Sequence, residues 1–153
     1  MQTNEIELSR AVEAIQIPSG EMVSLPAGTK VMITQSLGVT YTVATEAGLA
    51  RGHKIYQDFC LGCHGPVGDG MGPAQPHLYP PPLNFTILKN REISGGILYY
   101  QIMNGITGTA MPYFKRELES EKIWDVGNYV AVYFINQTDA NTDPRGIDAS
   151  YEP

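Results

Sequence analysis

The stretch Phe59-Cys60-Leu61-Gly62-Cys63-His64-Gly65 constrains this chain more than any other. It holds the chain's 2 cysteines, two residues apart and followed at once by histidine. C-x-x-C-H is the spacing at which two thiols add across the vinyl groups of one haem. The adjacent histidine is then held under the iron as its proximal ligand. Two other readings use the same thiols. A redox dithiol wants a βαβ setting, which the residues around the motif do not show. A structural zinc site usually needs a second ligand pair, and the remaining histidines, His53 and His77, stand singly. The expectation is one covalent haem c with its iron.

The surrounding chain suits a globular protein. At 153 residues it has room for one ordinary domain, or a small domain with an appendage. A net charge of −6, with nothing like a basic stripe, argues against nucleic acid as a partner. The charge is uneven. Residues 1–48 carry 2 basic and 5 acidic groups, 49–136 carry 7 of each, and 137–153 carry 1 basic and 4 acidic. No apolar run reaches the roughly 18 residues needed to cross a bilayer. Met1–Arg10 is polar and acidic and does not read as a signal peptide. Because haem is attached to such motifs outside the cytoplasm, the numbering is read as that of a mature or processed chain in a periplasmic or other extracytoplasmic compartment.

Residues 4–46 read as β structure. Val23 and Leu25, Val31 and Ile33, then Tyr41 and Val43 keep a period of two. Pro18-Ser19-Gly20, Pro26-Ala27-Gly28 and Leu37-Gly38 mark turns between them. Three or four short antiparallel strands in one small sheet or half-barrel are expected. From Thr45 the period becomes helical. Thr45 is a cap, and Leu49, Gly52, Tyr56 and Phe59/Cys60 share a face that runs into the motif. Gly65–Pro82 holds 6 of the 11 prolines and reads as a loop wrapped on a ligand. A second helix is expected from a Ser94 cap to Gly105, and a third from about Ser120 to Asn136, with Ile123, Val126/Gly127, Val130/Ala131 and Phe134 on one face. The polar tail after Gln137 reads as coil.

A haem held by His64 needs a ligand on its far side, and the candidates are Met71, Met103, Met111, His53 and His77. Met103 lies inside a helical pattern and reads as core filler. Met71 stands too close to His64 to reach the opposite face without strain. His53 reads as a surface imidazole, and His77 lies in a proline-rich loop. Met111 precedes Pro112, which pushes it into extended geometry so that its thioether projects from a loop. Met111 is the expected ligand.

Residues 49–136 resemble the class I monohaem c-type cytochromes, in the bacterial branch. The likeness rests on Gly52-x-x-x-Tyr56-x-x-x-Cys60-x-x-Cys63-His64-Gly65, Gly68-Asp69-Gly70-x-Gly72-Pro73, Ile102-x-x-Gly105-x-x-Gly108-Thr109-x-Met111-Pro112-x-Phe114 and Trp124-x-Val126-x-x-Tyr129-Val130. It implies a mostly α fold, three main helices around one covalent haem, behind a small N-terminal antiparallel β module. It also implies a close helix crossing at Gly52 against Tyr129 or Tyr133. The carbonyl accepting the outer N–H of the proximal imidazole would come from Gly72-Pro73, so Pro73 joins Cys60, Cys63, His64 and Met111 as cofactor-binding. The proline-rich insertion Leu78–Asn84 is given no role. Separately, residues 8–50 resemble the leader segment of SUF-system iron–sulfur assembly proteins, through Arg10–Gly20, Leu25–Val31, Ile33–Gly38 and Tyr41-Thr42-Val43. That likeness implies the β shape and no activity.

Three units follow: a β module at 1–48, a cytochrome domain at 49–136 and an acidic tail at 137–153. With iron between His64 and Met111 there is no open position for substrate. The expected function is therefore one-electron transfer rather than catalysis. The alternative is a haem enzyme or a gas or peroxide sensor whose Met111 bond is labile. The expected partners are redox proteins meeting the Gly108–Phe114 loop beside Lys115 and Arg116. A membrane-bound respiratory complex engaged through residues 1–48 is also expected, since so small a sheet needs a partner surface.

Overall fold

The structure is a computed structural model that describes residues 5–88 and 93–135. The tail expected at 137–153, and the expected helix end at Asn136, lie outside the described residues. Among the described residues, five strands come first. These are β1 (Glu5–Glu7), β2 (Val12–Ile15), β3 (Met22–Leu25), β4 (Lys30–Leu37) and β5 (Thr40–Thr45). They form two pieces rather than one sheet: an antiparallel trio in the order β1-β4-β5 and a β2-β3 hairpin.

The helical unit begins where expected. Thr45 Oγ1 accepts from Gly48 N at 3.2 Å and starts α1 (Glu46–Ile55). A wide π-helical turn, Tyr56–Cys60, leads on into the short α2 (Leu61–His64). That turn changes the phase of the buried face. Cys60 is half-buried and packs on the core, while Phe59, expected to share the face, is 45% exposed and meets Phe114 edge-on. Next comes α3 (Gly95–Asn104), whose Ser94 cap accepts from Ile97 N at 3.3 Å and whose end turns at Gly105 with φ 70°. The last helix is α4 (Ser120–Val130), extended by a second π turn through Ile135.

Helices α1 and α4 cross at Gly52. A Cβ there would run into the Asp125 carbonyl and Tyr129 Cβ, so only glycine lets the backbones approach this closely. Tyr129, not Tyr133, is the aromatic at that crossing. An ion pair spans it, with Arg51 Nε donating to Asp125 Oδ2 at 2.8 Å. Below the crossing, Ile55, Tyr56, Leu98, Ile102, Ile123, Val126, Val130 and Phe134 form the main core.

The β module has its own small core, which it shares with the cytochrome unit. Ala44, with half-buried Met32, packs against Leu49 of α1 and Val132 at the end of α4. Val31 is 1% exposed. The reason is that α1 leaves β5 without a linker, which folds the base of the β4-β5 pair back onto the helices. Tyr41 is not part of the covered face. It lies near the Gly38–Val39 turn, past a register shift between Ile33 and Gln35, and is 61% exposed. Gln16 of the loop after β2 also bonds Glu121 of α4.

Candidate functional site

The π turn, α2, α3 and the loop before α4 enclose a cleft of about 300 Å³. Cys60, Cys63, His64 and Met111 all line it. Around them stand Tyr56, Phe85, Leu98, Ile102, Val126 and Val130, with Gln101 and Thr109 among the few polar neighbours. The four expected donor side chains therefore share one apolar chamber, although Met111 is 47 residues beyond His64 in the chain. Of the five candidates for the far-side ligand, Met111 alone lines this chamber. His53 stacks on Tyr129 at 5.1 Å on the outer face of α1, Met71 is 73% exposed, His77 is exposed, and Met103 packs on the main core.

Local chemistry orients each donor. Tyr56 is buried, and its hydroxyl donates to Gly65 O at 2.7 Å, tying the motif's last turn to α1. Burial raises the Tyr56 phenol well above its ordinary range, so it stays a donor. His64 Nδ1 lies 3.2 Å from Leu83 O. A carbonyl only accepts, so Nδ1 carries the proton and Nε2 keeps its lone pair for a metal. Burial lowers the imidazole below its usual value, partly offset by that hydrogen bond, and the ring stays neutral. Met111 is held from its backbone. Its N donates to Thr109 Oγ1 at 3.1 Å and its carbonyl accepts from Ile106 N at 3.2 Å.

The thiols fit attachment better than redox exchange. Burial, and then Cys63, push the Cys60 thiol up to about 12, opposite to the lowered value that a reactive dithiol needs. Among the described residues no group of three or more His, Cys, Asp or Glu side chains is placed to hold a metal ion.

Pro73 does not hold the place expected for it. It is exposed and outside the cleft, and the carbonyl facing His64 belongs to Leu83. The Gly72-Pro73 turn lies instead behind the motif, where Gly72 N donates to Cys63 O at 3.1 Å. Leu83 sits in the insertion left without a role. A backbone acceptor carries no side-chain signature, so only the run of prolines hinted that this segment is held in a set shape.

A family model described as cytochrome C oxidase, cbb3-type, subunit III matches residues 47–130, more than half of the chain. The chain belongs to that family. It is thus an electron-transfer cytochrome of the c type, and membership implies haem c binding. A solved chain in the Kuenenia stuttgartiensis reducing HAO-like protein complex Kustc0457/Kustc0458 is 32% identical, with TM-score 0.51. The match covers 56% of this chain and 43% of that one, so this chain spans less than half the length of that neighbour. No curated protein matches. Nothing in these comparisons supports the likeness of residues 8–50 to the assembly leader. The residues present fit a haem: two thiols, an imidazole with its outer nitrogen engaged, and a thioether meet in one apolar cleft.

Proposed function

We propose that this cytochrome is a one-electron carrier holding one haem covalently through Cys60 and Cys63, with His64 and Met111 as its axial ligands. The observation that carries the reading is the convergence of those four side chains on the same cleft. When bound, the haem supplies a reversible ferric/ferrous couple, and a methionine ligand favours the ferrous state. The chain's own work is to orient and exclude. Leu83 O fixes the His64 tautomer, the Tyr56 hydroxyl ties down Gly65, and the apolar walls keep water from the centre.

Partners are redox proteins, and the neighbour's place in a redox protein complex favours a subunit or docking role in a larger respiratory assembly. The compartment is extracytoplasmic, where haem is attached to such motifs. The contact surface lies by Gly108–Phe114, where Lys115 and Arg116 stand over the Tyr113 ring at 5.7 and 5.4 Å. The units are a β module at 1–48, a cytochrome domain at 49–136 and a tail at 137–153. The module's covered side caps its own cytochrome, and exposed Ile15, Ile17 and Met22 face outward toward the assembly. Among the described residues no helix is long and apolar enough to cross a membrane.

Protein from a host able to attach haem should show the mass of one covalent haem. Reduced protein at neutral pH should bind no carbon monoxide. An intact mass without haem contradicts the reading, and rapid carbon monoxide binding would point to a labile Met111 and a sensor or enzyme instead.

A further inference from the structure

Tyr129 stands at the crossing of α1 and α4 that Gly52 opens, and its ring meets other rings on both sides. On the inner side are the buried rings of Tyr56 at 5.6 Å and Phe134 at 5.4 Å. On the outer side it stacks on exposed His53 at 5.1 Å and meets Tyr133, 37% exposed, at 4.9 Å. The inner rings continue to the site. Tyr56 itself lines the cleft. Phe134 lies parallel to buried Phe85 at 6.4 Å, and Phe85 stacks on the His64 imidazole at 4.6 Å and 18°. Two routes of neighbouring rings thus lead from the cleft to Tyr129 and out to the surface. They end at a different place from the distal loop: Thr109, Ala110 and Met111 line the cleft, whereas His53 and Tyr133 do not.

We propose that this aromatic chain is a second electron port, joining the site to a one-electron redox protein docked over His53 and Tyr133. The proposal rests on the reading of the cleft as a haem site with His64 and Met111 as ligands. Electron tunnelling weakens steeply with each gap it crosses, and rings packed edge or face against one another leave only van der Waals gaps. One electron leaves the donor, which is oxidised, and ferric iron is reduced to ferrous. No bond is made or broken and no proton moves. Tyrosine and phenylalanine are too hard to oxidise or reduce at the potential of a His/Met iron, so each ring is a bridge and ends as it began. With one port here and the other at Gly108–Phe114, a donor and an acceptor can dock at once. A subunit that passes electrons through an assembly needs that arrangement.

The test uses full-length holoprotein carrying a ruthenium polypyridyl label on one surface histidine. His77→Gln leaves His53 as the labelling site, and His53→Gln leaves His77. A laser flash lets the excited ruthenium reduce ferric iron, the rate is read from haem absorbance, and the potential is measured in parallel. Tyr129→Leu replaces the ring and should slow transfer from His53 about tenfold or more, while Tyr129→Phe, which keeps the ring, should stay within about twofold of wild type. Tyr129→Met fills the space without a ring and serves if the leucine variant folds poorly. Neither the potential nor transfer from His77 should move in any of the three. Unslowed transfer from His53 in both ringless variants overturns the port. So does a slowing in Tyr129→Phe equal to that in Tyr129→Leu, or an equal slowing from His77. A wild type without covalent haem, or whose oxidised form lacks the sulfur-to-ferric-iron band, overturns the functional reading, and the port with it.

Discussion

The cytochrome unit and the β module solve the same problem differently. Each is too small to bury much apolar surface alone. The cytochrome unit lines a cleft of about 300 Å³ with its own core residues, so a cofactor completes its interior. The β module completes its interior with a neighbour: Ala44 and Met32 meet Leu49 and Val132 across the join. One region is organised around a ligand and the other around a surface. Removing the ligand should therefore cripple the first, and removing the surface should cost the second more than the first.

The sharpest break in that contrast comes from the thiols. Cys60→Ala with Cys63→Ala should abolish covalent haem and leave a protein without a cooperative melt in the helical unit, as intact mass and circular dichroism would show. A variant that keeps a sharp melt without haem would mean that the helices need no cofactor core.

Next is deletion of residues 1–46. It uncovers Leu49 and Val132, which are 5% and 7% exposed in the whole chain. Losing the burial of two such side chains costs about 2–5 kcal/mol. Tm should fall by about 8–20 °C, at about 4 °C for each kcal/mol in a domain of this size, while haem and potential stay as they were. The shortened protein should also lose co-purification with its redox assembly. An unchanged Tm would return the module to a purely outward docking role.

How far the sequence reached follows the same division. The C-x-x-C-H spacing, the Thr45 and Ser94 caps, the Gly105 stop and the α4 face were legible because each is a local signal with a local cause. That Met111 projects into the cleft was legible through Pro112, whose steric effect reaches only one residue. The misses involve partners far apart or atoms without a side chain. Leu83 O is a backbone acceptor 19 residues beyond its imidazole, and Arg51 meets Asp125 across 74 residues. Phe59 was misplaced because a π turn leaves no mark in a period of 3.6. The strands were placed, but not their division into two pieces or the surface they cover, since a period of two shows that a face is buried without showing against what.

A smaller effect sharpens the outward side of the contrast. Reversing Lys115 and Arg116 to glutamate should slow electron exchange with a redox partner about tenfold at low ionic strength and much less at high salt. Equal rates across ionic strength would remove this loop from the contact.

The smallest concerns the helix crossing. Burial raises Asp125, with the Arg51 hydrogen bond only partly opposing it. A carboxyl whose folded value is raised favours the native state below its unfolded value and loses that contribution as pH rises through the folded one. Asp125→Asn should thus be neutral or slightly stabilising at neutral pH, by about 1 kcal/mol at most, with the difference fading as pH falls through the carboxylate range. A loss that persists at low pH would show that the carboxylate's geometry, not its charge, holds α1 to α4.

The central claim is that His64 and Met111 hold one iron from opposite sides of this cleft. The oxidised holoprotein's near-infrared spectrum tests it most directly. Wild type should show the weak sulfur-to-ferric-iron band, and Met111→Ala should abolish it and lower the potential by about 100 mV or more, within the ~0.8 V that axial ligands span. If Met111→Ala keeps the band, or if His77→Ala removes the native spectrum in its place, the account is contradicted.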